Sequence, residues 1–121
     1  MTILPAKYNI TIPQRATFRI QITLPFDCTN YTVEAQVWDK VRLRKYLDFD
    51  VEWVDRAEVV PDTDPVEYKG RFNLFADWED TSLVRESGQW DLLVVDDISG
   101  DRYYYLEGTA KLDPGYTGLG D

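Results

Sequence analysis

The 121 residues hold few groups that could do chemistry. Asp48, Asp50 and Glu52 recur at every second position, so a strand would set three carboxylates on one side, and paired carboxylates are the machinery of glycoside hydrolysis. A solvated strand face explains the same spacing more simply. Ser82, Ser87 and Ser99 have no base motif near them, and Cys28 has no histidine to lower its pKa, because the chain contains none. Cys28 reads as a small packing residue or an exposed bystander. Asp62 with Asp64, and Asp96 with Asp97 and Asp101, place hard oxygen ligands on loops, the chemistry of calcium, but neither group has EF-hand spacing and turn propensity alone explains aspartate there. Asn9-Ile10-Thr11 and Asn30-Tyr31-Thr32 match the glycosylation acceptor pattern, yet no signal peptide is read in residues 1–12. The glycines gather in turns and in the tail rather than in a phosphate loop. Accordingly, no enzyme, catalytic residue, metal or cofactor is expected.

What remains is binding chemistry. Lys40, Arg42, Arg44 and Lys45 form the densest basic cluster, alternating with Val41 and Leu43 as a basic strand would. Tyr103 and Tyr105 alternate with Tyr104 and Leu106, with Trp38 and Trp53 as further candidates, and aromatics beside charges are the currency of protein interfaces. Ordinary packing on the second face of a sheet explains the tyrosines equally well.

Composition narrows the partner. With 22 acidic and 13 basic side chains the net charge is −9, which disfavours a general phosphate-backbone binder, so nucleic acid is not expected. Divided after Val60, the chain has 8 basic and 8 acidic residues in the first half and 5 basic and 14 acidic in the second, so the excess belongs to one half. No run of about 18 apolar residues is present, so no membrane partner is expected. One cysteine allows no internal disulfide, consistent with folding in a reducing cytoplasm.

The elements that must carry these groups are strands. Period-two alternation marks residues 18–24, 31–38, 40–45, 49–53, 68–74, 90–95 and 102–112, and turn residues separate them. Residues 77–86 alone look helical, capped by Asp80 or Thr81 and at most two or three turns long. The hairpin turn at residues 96–101 has Gly100 for a positive φ. The expected architecture is all-β: an immunoglobulin-like β-sandwich of about seven or eight strands with one short helix, with a small β-barrel as the alternative. Residues 1–113 form one domain and residues 114–121 a flexible tail.

A resemblance enters through Ser87-Gly88-Gln89-Trp90-Asp91-Leu92-Leu93-Val94, the turn Asp97-Ile98-Ser99-Gly100, and Tyr103-Tyr104-Tyr105-Leu106-Glu107-Gly108-Thr109-Ala110. With Gln14-Arg15-Ala16-Thr17-Phe18-Arg19-Ile20 and Tyr31-Thr32-Val33-Glu34-Ala35-Gln36-Val37, it resembles tailed-phage structural proteins, specifically the N-terminal immunoglobulin-like domain of the phage baseplate upper protein. In that family a glycine usually stands in place of Arg15, and residues 39–75 carry no likeness. The resemblance implies a non-enzymatic virion structural protein, made in the host cytoplasm and built into an oligomeric assembly with other virion proteins. The chain ends eight residues past Asp113, so a separate adapter or decoration module of tail, baseplate, neck or capsid is expected. Partner contacts are expected at Lys40, Arg42, Arg44, Lys45, Tyr103 and Tyr105. The alternative is a carbohydrate-binding module that contacts the host surface.

Overall fold

Alternation of apolar and polar residues becomes nine strands and one helical turn in the computed structural model, which describes residues 6–115. The strands are β1 (Ala6–Lys7), β2 (Ile10–Pro13), β3 (Phe18–Leu24), β4 (Tyr31–Trp38), β5 (Lys45–Asp48), β6 (Asp50–Val59), β7 (Tyr68–Ala76), β8 (Gly88–Asp96) and β9 (Arg102–Asp113), with α1 (Trp78–Thr81) between β7 and β8. They form two sheets and do not close into a barrel. In the larger sheet the order is β1-β9-β8-β4-β5, with β2 also pairing β9, and the smaller is β3-β7-β6. The all-β sandwich is therefore as expected. The tail expectation falls mostly on residues 116–121, outside the described residues, while Pro114 is tied down through its carbonyl, which accepts from Arg15 Nη2 at 2.8 Å.

The core lies between the inward faces. Val33, Val37, Leu92 and Val94 of the larger sheet meet Ile22, Leu24, Phe72 and Leu74 of the smaller, all buried. Burying a side chain of this size contributes about 2 kcal/mol relative to exposure, so these eight outweigh any surface ion pair.

Four expectations are corrected. Residues 40–44 are no strand but the turn between β4 and β5, with Arg42 at φ 58°. Apolar-cation alternation imitates a strand, and a left-handed residue leaves no mark in periodicity. The expected strand through Phe49 is cut, because Asp48 closes β5 in one sheet while Asp50 opens β6 in the other, so Asp48 does not share a face with Asp50 and Glu52. The helix is one turn, capped by Asp77, whose Oδ1 accepts the Asp80 N–H at 2.9 Å. Finally, β1 and β2 were not expected. Their alternation is too short to register, and they pair in parallel with a strand about 100 positions away.

Candidate functional site

Lys45 opens β5, and beside it Lys40, Arg42 and Arg44 come together in a hairpin tip. Asp39 organises it: its carboxylate Oδ1 accepts the Leu43 N–H at 2.8 Å, its carbonyl accepts the Arg42 N–H, and its own N–H donates to the Arg44 carbonyl. Gln89 at the start of β8 clamps the tip from the side, accepting from Arg42 Nε at 3.3 Å and donating to the Lys40 carbonyl at 3.2 Å. Lys45 pairs with Asp48 at 2.8 Å. This fixed turn holds Val41 and Leu43 out in water, 68% and 83% exposed, among Lys40, Arg42 and Arg44. Sequence reasoning found the cations and missed Asp39; aspartate's bias toward turns was the available signal.

The tyrosines lie elsewhere and are swapped in orientation. A bulge between Leu92 and Leu93 pairs Leu106 with Leu92 but Tyr104 with Leu93, leaving Tyr105 as the extra residue. Tyr103 therefore sits beside the buried Val94 on the core side, its hydroxyl donating to Asp101 at 3.2 Å. Tyr105 packs edge-on against Phe26 at 6.3 Å, against the core. Burial pushes both phenol pKa values up. Tyr104 takes the outward position and is 54% exposed. The expected site residues thus form no single patch. Trp53, the other candidate, packs on Phe72 at 5.0 Å with the Arg56 guanidinium 4.3 Å from its ring.

On the outer face of the larger sheet, Tyr104 and Trp38 border a groove of about 420 Å³. Gln36, Asp91, Leu93 and Glu34 form its middle, with Arg42 and Arg102 along it. Among the described residues no hydrogen bond reaches the Asp91 carboxylate. Burial pushes its pKa up, the nearby Arg42 pulls it down, and Glu107 adds to the rise.

Several other acids are spent on structure. Asp96 accepts the Ile98 and Ser99 N–H groups, Asp97 accepts the Thr32 hydroxyl, and Glu52 pairs with Arg19 at 3.3 Å. Among the described residues no group of three or more histidine, cysteine or acidic side chains is placed to hold a metal ion, and no helix is long and apolar enough to cross a membrane. Comparison of the sequence with protein-family models and with curated proteins returns no match.

Proposed function

We propose that this chain is a non-enzymatic virion structural module of a tailed phage, an adapter or decoration piece of the tail, baseplate, neck or capsid that joins its neighbours through protein contacts. The observation that carries the contact is the β4–β5 tip. Holding two large apolar side chains in water costs solvation free energy that a partner surface would recover, and the surrounding cations would steer an acidic partner onto them. The likeness to phage domains gains support from geometry. Arg15 adopts φ 63°, the left-handed region that favours glycine, at the position where those domains carry glycine. Gly88 and Gly108 of the hairpin pattern also have packing duties, since a Cβ at either would lie within 2.2 Å of a backbone carbonyl oxygen.

The test is particle composition. Mass spectrometry and immunogold labelling of purified virions are expected to find the protein, and Leu43→Ser combined with Lys40→Glu and Arg44→Glu is expected to cut its incorporation about tenfold. Absence of the wild-type chain from virions would sink the proposal, and normal incorporation of the triple variant would move the contact away from the tip.

A further inference from the structure

From the groove on the outer face of the larger sheet we infer a second binding site, one for a neutral oligosaccharide laid between Trp38 and Tyr104. This site adjoins the β4–β5 tip, with which it shares Arg42, but it opens on the sheet face, is not lined by Val41 or Leu43, and goes beyond the assembly role. Register places its parts. Moving across the sheet, Gln36 stands beside Asp91 and Asp91 beside Glu107; in the neighbouring outward row, Glu34 stands beside Leu93 and Leu93 beside Tyr104. Trp38 lies two strands and four residues from the Tyr104 row, so the two aromatic Cα positions are about 16 Å apart by strand spacing and rise. That span suits an extended chain of sugars rather than a single ring.

One aromatic is set in advance. The Trp38 indole N–H donates to Gln36 Oε1 at 2.9 Å, Gln36 Nε2 donates to Asp48 at 2.7 Å, and Asp48 is paired with Lys45. This polar relay lies on the outer face, where the core does not need it, and it holds the ring in one orientation. A ring fixed before binding spares the ligand the cost of ordering it.

The polar groups select the class of ligand. Arg42, Arg102 and Gln89 present donors, while Glu34 and Asp91 present acceptors. Arg102 and Glu34 stand 4.0 Å apart, and two guanidinium groups balance two carboxylates, so the groove has no net charge to attract an ion. Sugar hydroxyls both donate and accept, and the apolar faces of pyranose rings stack on indole and phenol rings. Asp91 receives no hydrogen bond among the described residues and would accept one from a sugar hydroxyl. It is set in the middle strand with Glu107 beside it, and Glu107 is already paired with Lys7.

The test titrates the full chain with cellotriose, maltotriose, laminaritriose and chitotriose, and with trigalacturonic acid as the anionic control, by calorimetry and tryptophan fluorescence. At least one neutral trisaccharide is expected to bind with Kd of about 1 mM or tighter. Tyr104→Ala at an exposed position and Asp91→Asn at a half-buried one, both checked for fold by circular dichroism, are expected to weaken it about tenfold, while Leu43→Ser at the tip leaves it unchanged. No binding by any neutral trisaccharide, a preference for trigalacturonic acid, or binding that ignores both groove variants overturns the inference. So does loss of virion incorporation by Tyr104→Ala without sugar binding, which would assign the groove to a protein. Failure of the assembly reading shows instead in particle composition and leaves these titrations untouched.

Discussion

At the scale of single residues, the fold depends on places where a side chain is missing or held out of its ordinary conformation. Gly70 in β7 lies against Cys28, and a Cβ there would sit 2.2 Å from Sγ and 2.8 Å from the cysteine Cβ. Gly70→Ala is expected to cost about 3 kcal/mol in urea unfolding, and Cys28→Ala in the same chain to restore part of it, because the sulfur goes but the Cβ contact stays. Additive losses would show that the two do not compete for space. Burial, with a smaller push from Asp27 and opposition from Arg56, raises the Cys28 thiol to about 11. The thiolate fraction near pH 8 is then about 100-fold below that of an ordinary cysteine, so native protein is expected to resist iodoacetamide while urea-unfolded protein reacts at once. The linked sign follows. The folded state holds its proton more tightly, so stability is lost as pH rises from the unfolded value of 9.0 toward about 11. Arg15 is the complementary case, an arginine at φ 63°. Arg15→Gly is expected to gain about 0.5 kcal/mol, the relief of a left-handed arginine less the bond to the Pro114 carbonyl, and a Tm below that of the wild type would contradict it.

At the scale of elements, the parallel addition of β1 and β2 to β9 rests on one junction. Trp90, near the start of β8, donates its indole N–H to the Tyr8 carbonyl at 2.7 Å and meets the Tyr8 ring edge-on at 6.3 Å. Gly108 faces Trp90 across the ladder, and a Cβ there would lie 2.2 Å from that same carbonyl oxygen. Gly108→Ala is expected to cost about 2–3 kcal/mol and to speed amide exchange in β1 and β2 while β4 and β8 stay protected; unchanged exchange at Ile10 and Ile12 would refute it. None of this junction was legible, since it joins residues 100 positions apart. Strands with clean alternation, β3, β4 and β8, could be read directly even though β3 pairs with the distant β7, because a buried face imposes period two on the sequence. Alternation fails as a guide where the backbone departs from it. The bulge at Tyr105 reverses which tyrosine faces out, and the left-handed Arg42 turns an apparent strand into a tip. For the same reason the sequence pointed to Tyr103 and Tyr105 and to the cations, but not to Tyr104, Asp91 or the relay that fixes Trp38.

At the scale of the whole molecule, the charge of −9 divides by position in space rather than by half of the chain. The two halves interleave, since β4 pairs with β8 and β6 with β7. The ends of the larger sheet differ instead. Trp38 and the basic tip lie at the Gln89 end of β8, while Tyr31 lies opposite Asp96, where the turn carrying Asp96, Asp97 and Asp101 closes the other end. A basic tip and an acidic turn about 25 Å apart along one strand can meet between copies head to tail, which adds subunits in a line, or side by side in an antiparallel pair that closes with two such contacts. Both ends are exposed, so their attraction is screened once the Debye length falls below their separation. Sedimentation velocity at high protein concentration is expected to show association near 0.05 M salt (roughly a Debye length above 10 Å) that weakens about tenfold near 0.3 M. Lys40→Glu with Arg44→Glu is expected to abolish it, leaving the Arg42 and Lys45 contacts intact. An association unmoved by both salt and charge reversal would mean that the exposed Val41 and Leu43, rather than the cations, hold the copies together.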